Sequence, residues 1–141
     1  MRDINQITGQ IVDAAYHLHT QIGPRLLESA YEAILARALE NRGLTVERQK
    51  SINFHFDGME IENAFKVDLL VGSQVVVELK SVEKLAPVHI KQTLTYLRLL
   101  DLPVGLLINF GAARLKDGLH RIVNDRAPLA TATITARRGS G

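Results

Sequence analysis

The chain has 141 residues, of which 46% are hydrophobic and 23% charged, so its length and composition fit one domain with a substantial hydrophobic core. It has no cysteine, which excludes disulfides and thiolate zinc sites and leads us to expect a cytoplasmic protein. The net charge of +2 permits a polyanionic partner without requiring one. No run approaches the ~20 apolar residues that span a membrane, and the polar first residues lead us to expect no signal peptide.

Two helices are predicted first. Between residues 3 and 20, apolar side chains recur at helical spacing, and Gly23 with Pro24 ends the pattern. A second helix is predicted over residues 26–42, where apolar residues again share one face. Gly43 suits its C-terminal cap, because glycine adopts the left-handed conformation at low cost.

Three strands are predicted next, because the apolar pattern changes to a period of two. They cover residues 46–56, 61–71 and 75–81. Asp57-Gly58 is a hairpin turn signal between the first two strands. The short connections between the three strands are typical of an antiparallel meander.

A third helix and a fourth strand complete the predicted core. The helix covers residues 87–100, with Pro87 at the favoured first position. Its buried stripe is predicted to consist of Ile90, Leu94 and Leu97. Residues 104–110 form an unbroken apolar run, which is typical of a strand covered on both faces. Residues 114–123 are expected to add an edge strand or a short hairpin.

The order of these elements predicts one α/β domain over residues 1–124. Two helices, three strands, a helix and a strand fit a mixed sheet flanked by helices. Residues 125–141 show no clear period, and we expect them to form a flexible C-terminal tail.

Three charged residues interrupt the apolar strands at positions where a sheet would favour valine. Asp68 lies in the second predicted strand, and Glu78 and Lys80 lie in the third. Burial of a charge is costly unless the charge is paired or bound to a metal ion. Residues two apart on a strand share a face, so Glu78 and Lys80 are expected to point the same way.

The loop between these two strands decides whether the aspartate joins the other two residues. A two-residue loop would place Asp68 and Glu78 on different faces of the hairpin. A three-residue loop, 72–74, pairs Val71 with Val75 and sets Asp68 opposite Glu78, with their Cβ atoms ~5 Å apart. A shared site therefore predicts an odd-numbered loop or a bulge near the turn.

Two carboxylates at that spacing repel each other, and a hard cation such as Mg²⁺ removes the repulsion. The alternative is a solvated cross-strand pair between Lys80 and one of the acids, which would stabilise the fold only slightly. Glu78-x-Lys80 alone would favour the alternative. Because Asp68 precedes it by ten residues and apolar neighbours surround both acids, we favour the metal site.

Two further features have both a functional and a purely structural interpretation. Glu28 lies in the first turn of the second helix, where its position alone indicates only a favourable interaction with the helix dipole. His89, Gln92 and Tyr96 share one face of the third helix. This polar stripe could border the acids and hold a phosphate or a water, or it could be a partly exposed face.

These residues together resemble the PD-(D/E)XK nuclease superfamily, and more narrowly the small GxxExxY proteins. The restriction-endonuclease-like αβββαβ core of the superfamily matches the predicted order if the N-terminal helix is an addition. The motif positions of the superfamily correspond, in chain order, to Glu28, Asp68, Glu78, Lys80, Gln92 and Tyr96. Arg25 stands where the GxxExxY motif has glycine, so the start of the second helix could differ here.

The resemblance implies a nuclease that hydrolyses phosphodiester bonds in DNA or RNA with Mg²⁺, or with Mn²⁺ in its place. It implies that Asp68, Glu78 and the carbonyl of Leu79 bind one or two metal ions. Glu28 would be a third carboxylate or would act through these ligands.

The resemblance also implies roles for the remaining motif residues. Lys80 would orient the attacking water or stabilise the transition state. Gln92 would position a water or a phosphate, and Tyr96 would support the helix against the sheet. His89 would be a supporting residue if the polar stripe borders the site.

Two other functions keep the same fold. The first is a catalytically silent protein that binds nucleic acid or serves as a dimerising accessory subunit, and the second is a purely structural protein in which Lys80 pairs with an acid. The intact Asp, Glu and Lys favour the enzyme. Because a domain of this size has little surface with which to bind a long duplex, we expect a homodimer or a larger protein partner.

Overall fold

The computed structural model of the protein describes residues 2–125 and 134–138. Helices α1 (Ile4–Ile22) and α2 (Glu28–Asn41) precede strands β1 (Val46–Phe56), β2 (Met59–Val71) and β3 (Val75–Lys80). Helix α3 (Pro87–Leu100) is followed by β4 (Val104–Asn109), α4 (Leu115–Gly118), β5 (Leu119–Val123) and β6 (Ile134–Arg138). The predicted order of the core elements is confirmed. Among the described residues, no helix has the length and apolarity needed to cross a lipid bilayer.

All six strands form one mixed sheet in the order β5-β4-β3-β2-β1-β6. Strands β3 and β4 are parallel, and every other neighbouring pair is antiparallel. The predicted α/β fold, with a mixed sheet flanked by helices and an additional N-terminal helix, is confirmed. Residues 114–123, predicted to be an edge strand or a hairpin, form the short helix α4 and the edge strand β5.

Strand β6 lies within residues 125–141, where the sequence predicted a flexible tail. Its backbone pairs antiparallel with residues 52–56 of β1. The period analysis did not predict this strand, because the hydrogen-bonding partner of β6 is far away in the sequence. Residues 126–133 and 139–141 lie outside the described part of the chain, so the prediction for them stays a prediction.

Each face of the sheet carries its own hydrophobic core. One core packs under α1 and α2 and includes, from the central strands, Leu69, Val71, Val75, Val77, Leu79, Leu106 and Ile108. The other core packs under α3 and includes Val67, Leu70, Val76, Leu97 and Leu107. All of β4 is buried, as its unbroken apolar run predicts for a strand covered on both faces.

The predicted buried stripe of α3 needs one correction. Ile90 is 40% exposed, whereas Thr93 is 1% exposed and Leu97 is fully buried. Helix α3 approaches the sheet closely at Gly105, where an added Cβ would lie 3.3 Å from the methyl group of Thr93. Thr93 and Leu97 face the strand at this point, whereas Ile90, about one turn nearer the start of α3, is exposed.

The two hairpins have the geometry that the sequence predicts. Asp57 and Gly58 both have positive φ angles, of 51° and 75°, as a tight turn between twisted strands requires. The turn between β2 and β3 has three residues and pairs Val71 with Val75. The odd-numbered loop that a shared site needs is thus confirmed, and the register carries Asp68 to the position opposite Glu78.

Candidate functional site

Two carboxylates lie where β2 and β3 stop pairing. The ladder between the strands ends at Leu69 and Val77, one position before Asp68 and Glu78. The main-chain N–H of Asp68 donates to Glu78 Oε2 at 3.2 Å. The N–H of Leu79 donates to Asp68 Oδ2 at 2.9 Å. Each acid therefore bonds to the main chain of the opposite strand, in place of the missing ladder.

Asp68 also marks a break in the alternation of β2. Val67 packs in the core under α3, whereas Leu69 packs in the core under α1 and α2. Residues two apart on a regular strand would share a face. The irregularity at Asp68 brings its carboxylate within reach of both neighbouring strands.

Burial dominates the electrostatics of this pair. Glu78 is 7% exposed, and desolvation is the main reason that its pKa rises from 4.5 to about 10. The hydrogen bond and the charge of Asp68 raise this pKa further, while the N–H of Asp68 and the charge of Lys80 lower it. The raised pKa favours the protonated form of Glu78 unless another positive charge offsets its ionisation.

Lys80 lies on the same strand face as Glu78 and is partly buried. Its positive charge reaches Glu78, since it lowers the pKa of that carboxyl. None of the ion pairs within 4.0 Å among the described residues involves Lys80. In this part of the structure Lys80 therefore lies near Glu78 without forming an ion pair within 4.0 Å.

The carbonyl of Leu79 faces the gap between β2 and β3, which is the place where the two strands stop pairing and the two acids lie. The N–H of Leu79 points toward β2, where it donates to Asp68, while the carbonyl of Lys80 accepts from the N–H of Phe110 at 2.8 Å. Because the N–H and C=O groups of one strand residue point to the same edge, the Leu79 oxygen lies on the side of the acids. Its direction suits a third oxygen ligand.

Tyr96 is the residue of the α3 stripe that the structure brings to the acids. Burial, followed by the charges of Glu78 and Asp68, raises the pKa of its phenol. Its ring stacks on Phe65 of β2, with the ring centroids 4.4 Å apart. Tyr96 thus holds α3 against the sheet beside the site.

The other two stripe residues are placed differently. His89 caps the first turn of α3, where its Nδ1 accepts from the N–H of Ala86 at 3.1 Å. Gln92 is exposed, and its side chain makes no hydrogen bond among the described residues. It is therefore free to contact a ligand that approaches α3.

Glu28 does not join the two acids in a metal-binding cluster. It is the first residue of α2 and is exposed. Within residues 2–125 and 134–138, no three His, Cys, Asp or Glu side chains come together as a group that could bind a metal ion. The predicted set of three carboxylates is therefore not assembled in the described part of the chain.

The segment before α2 keeps a tight turn despite its arginine. Arg25 has a φ angle of 77°, the left-handed conformation that glycine adopts at low cost. The hydroxyl of Tyr31 donates to the Gly23 carbonyl at 2.6 Å and accepts from the Leu26 N–H at 3.1 Å. These two hydrogen bonds hold the turn closed.

Sequence reasoning missed two residues that reach the site. Glu32 of α2 is 7% exposed, and Gln49 of β1 connects it to Asp68 through hydrogen bonds of its side-chain amide. The signal for Glu32 was its place on the apolar face of α2, since Leu35 and Ala36 follow it at helical spacing and are buried. Gln49 gave no such signal, because its neighbour across the strands depends on the register of β1 and β2.

Comparison with known proteins gives one family. The PD-(D/E)XK nuclease superfamily matches residues 5–122, a range that includes both acids, Lys80 and the α3 stripe. Neither the curated proteins nor the solved structures contain a significant match to the chain. Because the match covers most of the sequence, the chain belongs to the PD-(D/E)XK nuclease superfamily.

Proposed function

We propose that this protein is a Mg²⁺-dependent nuclease that hydrolyses phosphodiester bonds of DNA or RNA in the gap between β2 and β3. The observation that carries the proposal is the pair of hydrogen bonds that hold Asp68 and Glu78 together at the end of the ladder. Membership in the superfamily supports a nucleic acid as the substrate.

The atoms in the gap fit a hard divalent cation. Asp68, Glu78 and the Leu79 carbonyl offer only oxygen ligands, which Mg²⁺ and Mn²⁺ prefer. Protein sites for Mg²⁺ commonly use one or two carboxylates and leave the remaining positions to water. Two acids and one carbonyl are thus sufficient for one ion, and Glu28 would contact that ion only through water.

The residues around the gap would have different roles in hydrolysis. A bound ion would neutralise charge on the phosphate and lower the pKa of its bound water. Lys80 would direct its ammonium group to the phosphate and stabilise the charge of the transition state. Gln92, exposed on α3, would hold a water or a phosphate oxygen, and Tyr96 would keep α3 in place.

Finer assignments follow from the same residues. Glu28 and Tyr31 occupy the last two named positions of the GxxExxY motif, and Arg25 keeps a positive φ angle at the first one. We propose that the chain belongs to that group and acts in the cytoplasm. A homodimer or a larger partner would supply the surface that a long duplex needs.

A catalytically silent, nucleic-acid-binding protein is the second candidate. The observation that favours it is the absence of a third acid from the group formed by Asp68 and Glu78 in the described residues. This candidate predicts that the protein binds nucleic acid without cutting it, or dimerises to support another enzyme.

The decisive experiment incubates the protein with single- and double-stranded DNA and RNA in Mg²⁺, Mn²⁺ or EDTA. We expect cleavage by the parent, no cleavage in EDTA, and a loss of about 100-fold or more in Asp68→Asn and Lys80→Ala. Lys116→Ala is the matched control, because Lys116 is exposed on α4, outside the two strands that carry the acids, and should be dispensable. Cleavage that persists in EDTA or in Asp68→Asn would contradict the proposal, and binding without cleavage would support the silent candidate.

A further inference from the structure

We infer that Gln49, itself held by Glu32 and Arg48, is a positioning residue that fixes the carboxylate of Asp68 for cation binding. This inference rests on the proposed function. Residues of α2 and β1 would thus act on the site through a series of hydrogen bonds to Asp68, and none of them would bind the ion directly.

The series of hydrogen bonds begins at a buried acid. Glu32 is 7% exposed, and its Oε2 accepts from Arg48 Nε at 3.2 Å and from Arg48 Nη2 at 3.1 Å. Its other oxygen, Oε1, accepts from Gln49 Nε2. A buried carboxylate is costly unless it is paired and hydrogen-bonded, and β1 supplies all three of these bonds.

The series of hydrogen bonds continues from Gln49 to Asp68. Gln49 Nε2 also donates to Asp68 Oδ1 at 3.1 Å. Because both partners of this nitrogen are carboxylates, which only accept, the orientation of the amide is determined. Asp68 Oδ2 accepts from the Leu79 N–H at 2.9 Å, so both oxygens of Asp68 are held and each keeps a lone pair for a cation.

The backbone of β1 is distorted at the residue that makes this contact. Arg48 pairs with Leu69 and Lys50 pairs with Val67, which places Gln49 opposite Asp68. The φ angle of Gln49 is 47°, in the left-handed region that side chains other than glycine rarely adopt. Such strain persists only where the surrounding contacts determine the conformation, and here those contacts lead to Asp68.

Metal affinity distinguishes a positioning role of Gln49 from a purely structural role. Outer partners of metal-binding carboxylates typically change metal affinity by 10–100-fold when they are removed. Gln49 is exposed, so its substitution should leave the folded protein intact. Metal affinity, measured without substrate, therefore reports the positioning directly.

The test measures the dissociation constant for Mn²⁺ by isothermal titration calorimetry on the full chain. We expect Gln49→Met, which keeps the size but removes the donor, and Glu32→Gln to bind Mn²⁺ about 10-fold or more weakly than the parent. The double variant should be no weaker than the weaker single one, because both substitutions interrupt one series of hydrogen bonds. Glu40→Gln, at an exposed position of α2, is the matched control and should bind like the parent.

The outcomes separate this inference from the proposed function. Circular dichroism at the temperature of the titration establishes that each variant is folded, and Gln49→Met decides alone if Glu32→Gln unfolds. Binding by Gln49→Met within twofold of the parent would overturn the positioning role and leave the nuclease proposal intact. A parent that neither binds Mn²⁺ nor cleaves nucleic acid would overturn the proposed function, and the inference with it.

Discussion

The carboxyl of Glu78 keeps its proton over a pH range in which a surface glutamate is ionised. Burial and the adjacent Asp68 are the causes, and together they raise its pKa to about 10. A proton and a divalent cation compete for the same oxygens, so metal binding at this pair would release a proton. Ionisation of Glu78 is thus unfavourable as long as no further positive charge lies beside it.

The first prediction concerns the pH dependence of stability without metal. The folded pKa of Glu78 lies above its unfolded value of 4.5, so its proton stabilises the fold fully below that value. This stability is lost as the pH rises toward about 10. In EDTA, we expect the free energy of unfolding in urea to fall by up to about 1.4 kcal/mol per pH unit within this range.

The control for this prediction is Glu78→Gln, which cannot ionise and should have a flatter profile. Saturating Mg²⁺ should likewise weaken the slope in the parent, because the ion takes the place of the proton. Parallel pH profiles for the parent and Glu78→Gln in EDTA would contradict the assignment.

A second prediction concerns the turn before α2. Arg25 has a φ angle of 77°, where a Cβ atom costs about 1–2 kcal/mol. We expect Arg25→Gly to increase the free energy of unfolding by up to about 1 kcal/mol, since the relief of strain exceeds the entropy that glycine adds to the unfolded chain. Arg25→Ala retains the Cβ and should give no such gain, so equal unfolding midpoints for the two variants would refute the explanation.

The packing of α3 on β4 depends on one glycine. A Cβ at Gly105 would lie 3.2 Å from the Val76 carbonyl oxygen and 3.3 Å from side-chain atoms of Thr93 and Leu97. A Cβ in that space would require its neighbours to move by a few tenths of an ångström. Because α3 also carries Tyr96 to the acids, the packing of this helix and the geometry of the site are connected.

A third prediction tests this connection. Gly105→Ala should destabilise the protein by about 1–3 kcal/mol through overpacking, and it should lower nuclease activity more than the loss of folded protein explains. Gly9→Ala is the matched control, because a Cβ at Gly9 has no atom within 4 Å and alanine favours a helix. Thermal unfolding and cleavage assays on both variants provide the test, and a fully active Gly105→Ala protein would separate the helix position from the site.

The whole molecule places helices on both faces of the sheet, and both layers reach the acids. On one face, α2 reaches Asp68 through Glu32 and Gln49. On the other face, α3 reaches both acids through Tyr96. The break in β2 at Asp68 makes this possible, because a regular strand would present the aspartate to one face only.

The parts of this molecule that could be predicted from the sequence depend on neighbours along the chain. The period of β1, the Asp57-Gly58 turn and the buried run of β4 are local patterns, and the structure has them where they were expected. The position of Asp68 opposite Glu78 followed from these patterns once the loop length was known.

The parts that could not be predicted depend on distant segments. The burial of the polar Thr93 reflects its close approach to Gly105, which no helical period contains. The contact between Glu32 and Gln49 requires α2 and β1 to meet, and strand β6 requires a partner about 80 residues away. Glu28 was predicted as an acid of the site, yet Glu32, one helical turn later, is the acid of α2 that connects to Asp68.

The break in β2 has a consequence for how this scaffold can change over time. The residues that hold Asp68 belong to α2 and the sheet, whereas Gln92, the proposed contact with a phosphate, belongs to α3 on the other face. Under the proposed function, substitutions on the outer side of α3 could alter the choice of substrate without lowering the affinity for the metal ion. On that proposal, specificity could therefore evolve on α3 while the residues proposed to bind the ion stay unchanged.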